Sequence, residues 1–170
     1  MKKNSALHAT STPATAADEA LTERRTLDLI AANDELIKNS LSDARTVIEN
    51  GGTWNPLVHV CHPGGVRSMV IPLARSGPAH KTEVVDTINR LRKELNGYLV
   101  IMLVDNLIRE ENLGNSVPRS PESPLPGPFD ALVVTAWGSN GLPIHGMQRY
   151  SRRVAGQVLF EEFLWGVPLV

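Results

Sequence analysis

Apolar side chains recur at Leu27, Ile30, Ile37, Leu41, Ala44 and Ile48, in alternating steps of three and four, with Asp34 in the one polar slot. That spacing lines one face of a helical segment that begins at Ala17. Asn50-Gly51-Gly52 supplies a left-handed stop. Within the run, Asn39, Ser40 and Ser42 compete for backbone hydrogen bonds, so the pattern leaves open one helix or two across 17–50. The run is too short for a coiled coil and predicts packing on a sheet.

Trp54 to Cys61 and Val66 to Leu73 are rich in Val and Leu and flank His62-Pro63-Gly64-Gly65, the composition of a hairpin with a four-residue loop. Pro72 ends the second strand or confines it to an edge. After Ser76-Gly77-Pro78, Val84, Ile88, Leu91 and Leu95 fall on one helical stripe, closed by Asn96-Gly97. Tyr98 to Val104 is apolar at every position, which predicts a strand buried on both faces at the middle of the sheet. Phe129 to Trp137, Leu142 to Tyr150 and Gln157 to Trp165 then read as three meandering strands, with bends at 138–141 and 151–156.

Strands joined by hairpins, with few helices, define an α+β class rather than alternating α/β. The expected architecture is a mostly antiparallel sheet of about six strands with two helices packed on one face. Residues 1–16, rich in Ser, Thr and Ala, predict a disordered tail. The single domain then spans 17–170, interrupted by a flexible Pro-rich loop over 111–128 that holds five of the chain's 12 prolines.

Composition narrows the function classes. The apolar share of 42% is enough for a core without disulfides or metal. Seventeen basic and 18 acidic residues leave a net charge of −1, which argues against a globally basic duplex binder. Cys61 is the one cysteine, so neither an intrachain disulfide nor a multi-cysteine zinc site can form. No apolar run reaches the roughly 18 residues of a membrane span, and the N-terminal residues lack a secretory apolar stretch. The reading is a soluble, cytoplasmic chain.

His59-Val60-Cys61-His62-Pro63 resembles the His-x-His-Pro core of the JAMM metalloproteases over five residues. It departs from that core in spacing, because residues at i and i+3 of a strand do not share a face. No Ser-x-x-Asp follows within the next fifteen residues, so the family's activity is not carried over. A looser metal site remains as a candidate, with His59 and His62 joined by Asp105 or His145 to give three ligands and an open position. Asp105-Asn106, where the apolar strand turns polar, is a candidate for acid–base work, against the plain reading of a strand end. Arg149, Tyr150, Arg152 and Arg153, with Arg119 in the long loop, combine cations and an aromatic as single-strand nucleic-acid binders do. The plain alternative is a solvated hairpin end. Pro118-Arg119-Ser120-Pro121 and Pro121-Glu122-Ser123-Pro124 have PxxP spacing, which also arises in passive loops.

Phosphate-loop, GxGxxG, GxSxG and HExxH signatures are missing. The expectation is therefore a non-catalytic accessory module for a macromolecular partner, with no cofactor and no membrane, a protein being favoured over nucleic acid. The rivals are a small metal-assisted hydrolase using His59, His62 and Asp105, and a weak nucleic-acid binder using Arg149, Arg152 and Arg153. The sequence does not give the oligomeric state.

Overall fold

The computed structural model describes residues 16–72, 78–108, 128–139, 142–153 and 156–167, with backbone alone at 16–17 and 78–81. The tail expected over 1–16, apart from Ala16, and the loop expected over 111–128, apart from Pro128, lie outside these residues, as do both PxxP motifs.

Two helices open the fold, α1 (Ala16–Ala32) and α2 (Asp34–Glu49). The segment is thus split, but at Asn33 rather than near Ser40. Asn33 turns its side-chain amide back to donate to the Leu29 carbonyl at 2.8 Å, an alternative to continuing the ladder. Ser40 stays helical because its hydroxyl donates to Leu36 O one turn back, also at 2.8 Å. The break resets the helical phase: in α1, Thr26 and Ile30 face inward while Leu27 is 42% exposed. Gly51, at φ +76°, closes α2, a conformation that costs glycine little.

The hairpin follows as β1 (Leu57–His62) and β2 (Gly65–Val70), with a two-residue loop, Pro63-Gly64, tighter than the four residues expected. After α3 (Pro78–Glu94) come β3 (Leu99–Ile108), β4 (Phe129–Gly138), β5 (Ile144–Arg152), β6 (Val158–Phe160) and β7 (Leu164–Trp165). The sheet has seven strands in the order β2-β1-β3-β4-β5-β6, and β7 pairs with β5 beside β6. Every pairing is antiparallel. The α+β class and the antiparallel sheet are as the sequence predicts.

Three details differ. Among the described residues there are three helices, because the first segment divides. The single closing strand expected over 157–165 is two short ones: Glu161 N–H still donates to Arg149 O in line with the β5–β6 pairing, but the Glu161 carbonyl accepts from the Gln148 side chain. The helices also cover both faces of the sheet instead of one. α1 and α2 bury Ile30, Ile37, Leu41, Ala44 and Ile48 against Cys61, Leu99, Ile101, Leu103, Leu132 and Val134. α3 places Val84, Ile88 and Leu91, with Leu95 in the turn just after it, against Val58, Val60 and Val100, the alternate positions of the same strands. A central strand that is apolar at every position needs cover on both sides, and α3 supplies the second. Gly97, between α3 and β3, allows this close approach: a Cβ there would meet Val60 Cγ1 at 2.7 Å.

Among the described residues, no helix is long and apolar enough to cross a membrane.

Candidate functional site

Among the described residues, β2 is the last strand on its side of the sheet and pairs only with β1. In a two-residue hairpin the closing pair, here His62 and Gly65, exchanges hydrogen bonds, and the pattern then alternates along the ladder. Ile71 N–H donates inward to Pro56 O at 2.8 Å, which keeps that phase. Val66, Ser68 and Val70 therefore turn their N–H and C=O groups outward, away from β1. Their side chains lie on the α2 face of the sheet, yet Val66 and Val70 are 45% and 57% exposed. The strand contains neither Pro nor Lys, two common guards of an edge, and Arg67 is its one charge.

Behind this edge lies a chain of hydroxyl and imidazole groups. His59, on β1, pairs across the hairpin with Ser68 and is buried at 4% exposure. Its Nε2 is 2.9 Å from Ser40 Oγ on α2, and its Nδ1 is 2.8 Å from Ser68 Oγ on β2. The single hydroxyl proton of Ser40 is committed to Leu36 O, so Ser40 accepts from Nε2–H. In the neutral ring Nδ1 is then the free acceptor, and Ser68 donates its hydroxyl proton to it. Burial holds the His59 pKa below its ordinary 6.5, which keeps the ring neutral near pH 7.

A second polar group lies further along the same face. Tyr150 Oη donates to Asp105 Oδ1 at 2.7 Å. Burial raises the Asp105 pKa, the Tyr150 hydrogen bond opposes that rise, the nearby Asp130 charge adds to it and the Arg152 charge lowers it. The Tyr150 pKa is also raised, chiefly by burial and then by its bond to Asp105. Arg45 of α2 donates through Nε to Gln148 Oε1 at 2.7 Å, and its guanidinium lies 5.8 Å from the Phe160 ring centroid. The Tyr150–Asp105 bond links β5 to β3, and the Arg45–Gln148 bond ties α2 to β5.

The residues proposed as metal ligands do not converge. His59 faces α2, whereas His62, three residues on, falls on the opposite face, where its Nδ1 accepts from Gly64 N–H at 3.2 Å. His145 lies on β5, on the face opposite His59, with Nδ1 3.1 Å from Thr135 Oγ1. Asp105 shares the His59 face, but His59 pairs with Ile101, four residues earlier in β3. Asp105 is also not at a strand end as expected, because β3 runs on to Ile108 and pairs Asp105 with Leu132. Among the described residues, no group of three His, Cys, Asp or Glu side chains is placed to hold a metal ion. Burial pushes the Cys61 thiol up to about 11, so it is neither a thiolate ligand nor a nucleophile at neutral pH.

The arginines are likewise dispersed. Arg149 and Arg152 occupy positions of opposite parity on β5. The Arg149 guanidinium covers the Phe129 ring at 4.2 Å, while Arg152 lies 5.8 Å from the Tyr150 ring centroid. Arg153 is exposed in the turn after β5. Tyr150 is buried, with its ring on Phe160 at 5.2 Å, and offers no face for a base. Arg119 lies outside the described residues.

Sequence reasoning singled out His59 but missed Ser40 and Ser68. The signal was present: each is a small hydroxyl residue among apolar neighbours, Ser40 between Ile37 and Leu41, Ser68 between Val66 and Val70. No family model, curated protein or solved structure matches the chain.

Proposed function

We propose that this chain is an interaction module that binds a protein partner by taking one extended segment of it alongside β2. The observation that carries this reading is the outer edge of β2, where Val66, Ser68 and Val70 present backbone groups unpaired among the described residues, beside two half-exposed valines. A strand added there has its main chain recognised by those groups, while alternate side chains set specificity. Covering Val66 and Val70 contributes on the order of 1 kcal/mol each. The chemistry also defines the segment: apolar side chains opposite the valine face, and an acidic one opposite Arg67.

The test uses a display library of random extended peptides selected on the full chain. The selected peptides should match this pattern and bind at least about tenfold less tightly to the Val66→Lys/Val70→Lys double variant, a loss of about 1.4 kcal/mol or more. Leu142→Lys, at a 70% exposed apolar position in the distant β4–β5 turn, should leave binding unchanged. Binding that ignores the β2 substitutions, or that depends equally on Leu142, overturns the reading.

A further inference from the structure

We infer that Ser68 is an activated nucleophile, with His59 as its general base and Ser40 as the positioning residue, and that this site accepts the acyl group of small esters. The inference goes beyond strand binding: it shares the Val66–Val70 edge with that reading but is carried by the bonds of His59 to Ser68 and Ser40. A base must lie within about 2.6–3.2 Å of the proton it takes, and His59 Nδ1 lies 2.8 Å from Ser68 Oγ. The base must also be held in the correct tautomer by a third group. Ser40 does this, because its own proton is committed to Leu36 O and it can only accept from Nε2–H.

Access follows from the fold. His59 is buried, but Ser68 is exposed on the terminal strand, so an ester can reach its oxygen without any opening of the core. The two valines at i−2 and i+2 share its face and are themselves exposed, which gives an apolar acyl chain a surface on either side. The backbone N–H of Ser68 points outward from the edge and is unpaired among the described residues, so it is free to donate to a developing oxyanion. The structural alternative, a buried histidine satisfied by two serines, accounts for Ser40. It gives no reason for the second partner to be an exposed hydroxyl.

The chemistry balances within these groups. Ser68 Oγ bonds to the ester carbonyl carbon as its proton passes to His59 Nδ1. Collapse of the tetrahedral adduct breaks the bond to the alcohol oxygen, and the departing oxygen takes the proton from Nδ1. Water then attacks the acyl-serine, passes a proton to Nδ1 and releases the carboxylic acid, and Ser68 recovers its proton.

The test treats the full chain with a fluorophosphonate probe near pH 7.5, where attack by Ser68 forms an Oγ–P bond and releases fluoride with the hydroxyl proton. Intact mass and peptide mapping should show one adduct, on Ser68, formed at least tenfold faster than at any other serine and at least tenfold faster than in urea-unfolded protein. Ser68→Ala should abolish it, whereas peptide selection is read on the unlabelled wild-type chain and is lost in the Val66→Lys/Val70→Lys variant, so the two proposals fail separately. Ser40→Ala should shift the pH midpoint of labelling, which a purely structural role would not do, and Ser40→Thr should restore it. No adduct on native protein, adducts spread over several serines, or a Ser68 rate unchanged by unfolding overturns the inference. The comparison of native with unfolded wild-type protein holds even where a Ser40 variant fails to fold.

Discussion

His59 shows how much one side chain's surroundings decide. In the sequence it stands as half of a metal pair with His62, and strand parity already separates the two rings. Its true partners were legible through register: a loop over 62–65 pairs Cys61 with Val66 and hence His59 with Ser68, the pairing observed. Ser40 was not legible in this way, because nothing in the sequence fixes which helical residue crosses above β1. The burial of His59 carries a pH consequence. Its folded pKa lies below the ordinary 6.5, so as pH falls through that value the unfolded chain takes up a proton that the folded chain resists. Stability is therefore full above about pH 6.5 and is lost as pH drops below it. The half-buried His145 acts in the same direction from the other face. The urea midpoint should fall between about pH 7.5 and pH 5.5, and His59→Gln should remove part of that slope. A flat midpoint, or a slope unchanged by the substitution, contradicts this electrostatic picture.

At the scale of elements, periodicity performed well where one face is buried and the phase is unbroken. The α3 stripe of Val84, Ile88, Leu91 and Leu95 is the observed contact face. Ile88, at 3% exposure, is its most buried member. Ile88→Ala should cost about 2–5 kcal/mol in denaturant melts. Arg90→Ala, on the exposed side, should cost under about 0.5 kcal/mol. Equal losses would mean that α3 is seated on another face. Periodicity failed in α1, because the break at Asn33 restarts the phase and brings Thr26 inward in place of Leu27. It also could not say which side of the sheet each helix takes, since β1 and β3 are apolar on both faces. The closing strands hid another constraint. A Cβ on Gly146 would collide with the Phe163 ring, which stands edge-on to Trp165 at 5.1 Å. Gly146→Ala should therefore destabilise by about 1–3 kcal/mol, the range for overpacking, and a neutral melt would show that the Phe163 segment yields freely.

At the scale of the molecule, the sheet ends on one side at β2 and on the other at β6 and β7 among the described residues. Both faces of β1 and β3 are covered, and β6 and β7 share the far edge along β5. On the near edge the hairpin leaves outward N–H groups at Val66, Ser68 and Val70 between inward ones at Arg67, Met69 and Ile71. Sequence indicated an edge strand through Pro72, but not that the strand would lack Pro and Lys between 65 and 70 and be backed by a buried histidine. Amide hydrogen exchange, read residue by residue over 66–71, tests the open edge most directly. The free protein should show fast exchange at Val66, Ser68 and Val70 alternating with protection at Arg67, Met69 and Ile71, and a bound peptide strand should protect all six. Six protected amides in the free protein, or an alternation that a bound peptide leaves untouched, would contradict the assignment of β2 as the binding edge.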